Sequence, residues 1–246
     1  MRVLVVGAVS GGTVPIGGSV CRAFEEMGIE TDFLDFSVLE REFRRLWAEK
    51  DQEGLSRFGM RKKIMLLERI AGFRPNTVFG IAQSPLNDVE ILSELRNAGI
   101  VLCYWFTEDY RIFDYWKTIA PLFDCFFTLQ KEPFWSELER AGCGNYHYLP
   151  MAFDSLVDYP ENAAGDVMPL SFVGAPYPNR VHFLSRFSGD RLRIYGEDWD
   201  KYPNPFVAVG DRRIGEEEAR DIYRRSLVNL NLPSSAFPMK MGEGDF

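Results

Sequence analysis

Histidine is nearly missing from this chain, with only His147 and His182 among 246 residues. That excludes a histidine-rich metal centre, and no Ser-His-Asp arrangement can be assembled around either ring. Lone histidines in α/β loops are commonly structural, although His182 follows a glycine-bearing turn closely enough to reach a ligand there. Cysteine is sparse as well. Cys21, Cys103, Cys125 and Cys143 stand far apart, with no C-x-x-C pair and no histidine at ligand spacing. Cys103 and Cys125 lie inside apolar runs, where a free thiol behaves as a small hydrophobe. The expectation is four reduced thiols in a cytoplasmic protein, with neither a disulfide framework nor a zinc site.

Long apolar runs are absent too. The longest, residues 98–106, falls far short of the roughly 20 residues that span a bilayer, and the start Met1-Arg-Val-Leu-Val-Val-Gly7 is too short for a signal peptide. The chain reads as soluble. Its net charge of −8 argues against a general nucleic-acid binder, which would need cations to neutralise phosphates. Residues 38–74, opening at Val38 and closing at Arg74, run the other way. Ten Lys/Arg stand there against six Asp/Glu, a local +4 that leaves −12 for the rest. The segment is either a solvated helical face or a surface for an anionic acceptor or peripheral membrane contact. No P-loop lysine motif and no glycosidase-type pair of carboxylates is present.

What the chain does contain is a regular alternation of strand and helix patterns. Val3 to Gly7 is a continuous apolar strand, followed by the glycine-rich loop of residues 8–18. Helical spacing of Val20, Ala23, Phe24 and Met27 ends at Gly28. Strands are expected at 30–36, 77–82, 100–106 and 123–129, with helices carrying Leu39 to Trp47, Ile64 to Ala71, 89–98, 113–120 and one opened by Pro133. A short strand closes at Leu149-Pro150, because proline cannot continue a ladder. A second series follows, with strands at 169–173, 192–195 and 227–232 and helices from Asn179 and Gly215. The fold class is therefore α/β, with two doubly wound Rossmann-type units at 1–150 and 151–246, the second incomplete. A cleft at their hinge is the expected place for function. With the common strand order, strands one and four are neighbours, so loop 8–18 and residues 105–109 line one crevice.

The order of the pieces carries more than any one of them. The glycine loop, Trp105-Phe-Thr-Glu-Asp109, Phe127-Thr128, Ala141-Gly142, Tyr148-Leu-Pro-Met-Ala-Phe-Asp154, Phe172-Val-Gly174 with Arg180, Ile194-Tyr-Gly196 with Trp199, and Tyr223-Arg-Arg-Ser226 with Asn229-Leu-Asn231 succeed one another. Over residues 1–232 this resembles the CgeB-like family of GT-B glycosyltransferases. The resemblance implies an N-terminal acceptor domain and a C-terminal domain for a nucleoside-diphosphate-sugar donor, with no further cofactor and no metal. A glycan, cell-envelope component or protein would be the acceptor. The family continues with an Arg-x-Phe-Glu segment that contacts the donor. Here residues 237–246 stand instead, Glu243 has no matching motif, and the donor domain is expected to be truncated.

Candidate residues follow from chemistry and position. Gly174 and Arg180, at a strand-to-helix turn, suit a diphosphate through backbone N–H groups and a forked cation; the alternative is a plain strand-to-helix turn with Arg180 on the surface. Tyr195, Gly196 and Trp199 offer a wall for a nucleobase, and packing explains Trp199 equally well. Glu108 and Asp109 face the expected crevice as general bases for an acceptor hydroxyl, while Asp109 also suits a helix cap. Gly11 and Gly12 would let an acceptor approach the first loop. Two other functions stay open: a catalytically inactive paralogue acting as a glycan- or protein-binding module, and, more weakly, an NAD(P)-binding oxidoreductase with Asp35 on the ribose. The first loop does not match G-x-G-x-x-G.

Overall fold

A computed structural model describes residues 1–157, 165–187, 189, 191–202 and 207–234. The chain divides into two compact units, Met1–Ala152 and Phe153–Phe246. Residues 237–246, including Glu243, lie outside the described residues.

The first unit alternates strands and helices: β1 (Arg2–Val6), α1 (Ile16–Glu26), β2 (Glu30–Leu34), α2 (Glu40–Ala48), α3 (Gln52–Phe73), β3 (Thr77–Ile81), α4 (Val89–Asn97), β4 (Val101–Phe106), α5 (Trp116–Ile119), β5 (Cys125–Thr128), α6 (Phe134–Arg140) and β6 (Tyr146–Tyr148). All six strands pair in parallel. Alternating side chains serve opposite faces of the sheet. Leu4, Val6, Leu102 and Tyr104 join the larger core beneath α2 to α6. Val3, Val5, Phe79 and Trp105 pack on the other face with Cys21 and the half-buried Phe24 of α1. Both faces are covered, which is why these strands read as unbroken apolar runs.

The strand order is β2-β1-β3-β4-β5-β6. Strand one therefore neighbours strand three, not strand four as expected. Polarity supplies the reason. Glu30, Thr31 and Asp32 suit β2 to the rim, where charge blunts a free edge. Val78, Phe79, Gly80 and Ile81 of β3 are all buried and fill the slot beside β1. The order reverses between β1 and β3, and that is where a doubly wound sheet opens a crevice at its carboxyl edge.

Two helices shape that edge. Asp51 caps α3, its carboxylate accepting from Gly54 N at 2.8 Å, and Asp88 caps α4 by accepting from the amides of Glu90 and Ile91. Segment 38–74 forms α2 and α3, and five of its arginines pair with acids: Arg44 with Glu40, Arg45 with Glu49, Arg57 with Glu53, Arg61 with Glu42 and Arg69 with Asp32. The expected helix at 113–120 shrinks to α5 and a short 3-10 turn, Ala120–Leu122, which contains Pro121. No helix among the described residues is long and apolar enough to cross a membrane.

The second unit contains β7 (Met168–Val173), α7 (Pro178–Leu184), β8 (Leu192–Gly196), β9 (Val207–Asp211), α8 (Glu216–Arg224) and β10 (Ser226–Asn229). Its sheet is parallel with order β10-β7-β8-β9. The sequence pattern missed β9. Pro203 and Pro205 just before it mask a five-residue strand, and it sits at an edge with an irregular register against β8. Ser171 donates to Asn229 Oδ1 at 2.5 Å and stitches β7 to β10, so Asn229 of the quoted series is a sheet residue.

Candidate functional site

Three loops meet at the carboxyl edge of the first sheet. Thr13 of the glycine loop is buried, and its hydroxyl donates to Ala82 O at 3.0 Å, fastening that loop to the end of β3. Gly11 has φ 103°, which favours glycine, and a Cβ there would lie 1.9 Å from Gln83 Oε1 and push that side chain aside. A Cβ at Gly12 would meet nothing within 4 Å, so only the first of the two expected loop glycines is a close approach. Gln83 is itself held at φ 69°, a backbone conformation that β-carbon-bearing residues keep only under constraint.

Gln83 reaches the loop after β4. Its amide Nε2 donates to Glu108 Oε1 at 2.7 Å, and the Tyr115 hydroxyl donates to Glu108 Oε2 at 2.5 Å. The hydroxyls of Tyr115 and the fully buried Tyr104 lie 3.2 Å apart. Burial, then the neighbouring Tyr104 and Glu108, push the Tyr115 phenol well above its ordinary range, so it stays protonated and remains a donor. Glu108 is 8% exposed. Both its donors are neutral, and no cation among the described residues pairs with it. A buried carboxylate held this way keeps lone pairs for a hydroxyl proton.

Asp109, placed beside Glu108 by the sequence, does a different job. Its carboxylate accepts from Arg111 N and Nε at 3.0 Å each and from Nη2 at 2.9 Å. Burial opposes its charge, but the Arg111 hydrogen bonds and charge prevail and hold it below the usual carboxylate range. It closes the turn at 109–113 through its own carbonyl, rather than capping a helix. Of the two expected bases, Glu108 is the buried one that only neutral groups hold among the described residues, and Asp109 is the anchor of a turn.

Gln83 and Tyr115 escaped the sequence reading. A signal existed for Gln83, a polar residue directly after the apolar run ending at Ala82, but the assumed strand order placed β3 away from β1. Nothing in the spacing pointed to Tyr115. The Trp105 indole donates to Leu149 O at 3.0 Å, which ties β4 to the chain leaving β6.

In the second unit the expected donor residues do cluster, at the carboxyl ends of β7 and β8, but they hold one another. Arg180 donates through Nε at 3.0 Å and Nη2 at 2.8 Å to Leu232 O, and through Nη1 at 3.2 Å to Ala175 O. It also lies over the rings of Phe172 and Tyr177, each at 5.3 Å. It is a clamp on the chain beyond β10, not a free phosphate ligand. Trp199 is buried in the core with Phe172, Leu184 and Ile194, and its Nε1 donates to Gly174 O at 2.7 Å. Tyr195 is buried on the other face, its hydroxyl 3.0 Å from Met168 Sδ. Neither ring is a nucleobase wall. A Cβ on Gly196, whose φ is 151°, would sit 2.4 Å from Gly174 O, so the two glycines exist to let these turns touch.

Replacing Arg180 with methionine should therefore destabilise the second unit by about 1–3 kcal/mol through the orphaned carbonyls. Urea unfolding measures this, and an unchanged midpoint would show that the clamp carries no weight.

The remaining expectations are quickly placed. Asp35 Oδ1 accepts from Ser37 N at 2.8 Å, closing a local turn rather than presenting an acid to a ribose. His147 Nε2 lies 2.8 Å from Asn145 Oδ1, and His182 Nε2 lies 3.0 Å from Arg186 Nη2, both exposed. The four cysteines are free thiols, and burial pushes Cys103 up to about 12. No group of three or more His, Cys, Asp or Glu among the described residues is arranged to hold a metal ion. No family model matches this chain, and no curated protein matches its sequence.

Proposed function

We propose that the chain is a glycosyltransferase of GT-B type, similar to the CgeB-like family, in which the first unit binds the acceptor and activates its hydroxyl. The observation that carries this is Glu108, buried at the crevice edge of a doubly wound sheet and held by two neutral donors, with no cation paired to it among the described residues. Glu108 takes the acceptor's hydroxyl proton as that oxygen bonds to the anomeric carbon. The bond from that carbon to the diphosphate breaks, and the nucleoside diphosphate leaves with the electron pair. Tyr115 and Gln83 hold the carboxylate in place through this step. The second unit takes the nucleotide-sugar donor at the Gly174 turn. Because Arg180 is occupied and the Gly174 and Tyr177 amides already donate to backbone carbonyls, the amides that open α7 would meet the diphosphate there.

Titration calorimetry with UDP-, GDP- and dTDP-sugars tests the donor half. Saturable heat with one of them is expected, and no heat with any sinks it.

A second reading has its own observation. Arg180, Tyr195 and Trp199 are all used internally, as they would be in a non-catalytic module that keeps the fold and binds a glycan or protein. In that case Glu108 would bind hydroxyls without turning over a donor.

A further inference from the structure

A pocket of about 370 Å³ lies between α3 and the loop leading into α4, and shares no lining residue with the Glu108 network. Ser56, Lys62, Lys63, Asn87, Asp88 and Glu90 supply its polar lining, and the buried Leu66 and Ile91 its apolar walls. The volume is within the roughly 300–1,000 Å³ that small-molecule sites occupy. A Cβ at Gly59, also in the lining, would meet nothing within 4 Å, which leaves that side open.

The two lysines differ in their neighbours. Lys63 Nζ lies 3.9 Å from both Asp88 Oδ2 and Glu90 Oε2. Asp88 gives its other oxygen to the amides that open α4. These acids are thus engaged with Lys63 and with the helix. Lys62 has no carboxylate partner among the described residues. Its ammonium lies 5.3 Å from the centre of the buried Phe58 ring, which recovers only part of what half-burial costs a charge. Burial alone pulls its pKa below the ordinary lysine range. A half-buried cation on an apolar ring, in a lining that also holds a hydroxyl and an amide, can be completed by an anion.

We propose that this pocket binds a small molecule bearing a carboxylate on a compact apolar body, with the carboxylate on Lys62 and the body against Leu66 and Ile91. The site is independent of the glycosyltransferase reading and stands or falls without it. Asp88 and Glu90, which line the same pocket beside Lys63, would disfavour dianions, which makes a monocarboxylate the better fit than a phosphate.

Amide-resolved NMR titration of the full chain with benzoate, and with benzamide as its neutral isostere, decides the matter. Benzoate should shift amides of the pocket lining and saturate in the millimolar range, with benzamide weaker by about tenfold. Lys62→Gln should weaken benzoate by about tenfold, Lys62→Arg should largely restore it, and Lys63→Gln should change it little. Benzoate that shifts no pocket amide, binds no better than benzamide, or ignores Lys62→Gln overturns the proposal. Should Lys62→Gln fail to fold, the benzoate–benzamide contrast on the unaltered chain still decides.

Discussion

Trp199→Ala is expected to cost the second unit about 3–5 kcal/mol, the ordinary loss for truncating a fully buried tryptophan. The ring is 1% exposed and meets Phe172 edge-on at 6.0 Å between centroids. Its indole N–H also satisfies Gly174 O. The core it leaves is small, with Phe172, Leu184, Leu192 and Ile194 as its other buried members. Domains of this size hold together by about 5–15 kcal/mol in total, so the substitution removes a large share. Calorimetry or hydrogen exchange should show the second unit melting early while the first keeps its transition. Trp199→Phe separates the two contributions, because it keeps most of the ring and loses only the hydrogen bond, at about 1–3 kcal/mol. The contrast with a nucleobase wall is sharp. A wall residue would leave stability within about 0.5 kcal/mol, as surface changes do, and would alter donor binding instead.

That difference marks where the sequence stopped being legible. A tryptophan four residues past Tyr195, after a glycine turn, fits a ligand wall and a core plug equally well. Only burial separates them, and burial depends on what α7 and β7 bring alongside. Arg180 is a similar case. Its place after a glycine turn suggests phosphate, but its partner Leu232 O lies 52 residues away in the chain. The strands were legible because a parallel sheet covered on both faces demands continuous apolar runs, as Val3 to Val6 and Leu102 to Phe106 show. Their order was only partly so. Apolar runs look alike in any interior slot, yet the acids of β2 already argued for an edge. Residues 8–18 and 105–109 were expected to meet directly, but β3 separates their strands and Gln83 bridges them. The crevice's third wall, Gln83, was hidden by the assumed order.

Glu108→Gln should lower sugar transfer by about 10²–10⁴-fold, the contribution typical of a positioned general base. The substitution keeps the shape of the side chain and an oxygen for the Tyr115 hydroxyl. Its new NH₂ faces the Gln83 amide, which can present Oε1 after a flip. The fold should therefore survive, and near-native urea unfolding is the control. Asp109→Asn provides the comparison within the same loop. Its carboxylate is already committed to Arg111, so losing that charge should slow transfer by less than about tenfold while loosening the turn at 109–113. A positional role for Glu108 and a proton-accepting role differ in how kcat and KM respond. If it is the base, kcat falls in Glu108→Gln while acceptor KM changes little, whereas a merely positioning residue would raise KM as well. Equal losses in the two variants, or a Glu108→Gln protein that transfers at the native rate, would remove Glu108 from the chemistry. The crevice would then stand as a binding site, which is what the non-catalytic reading requires.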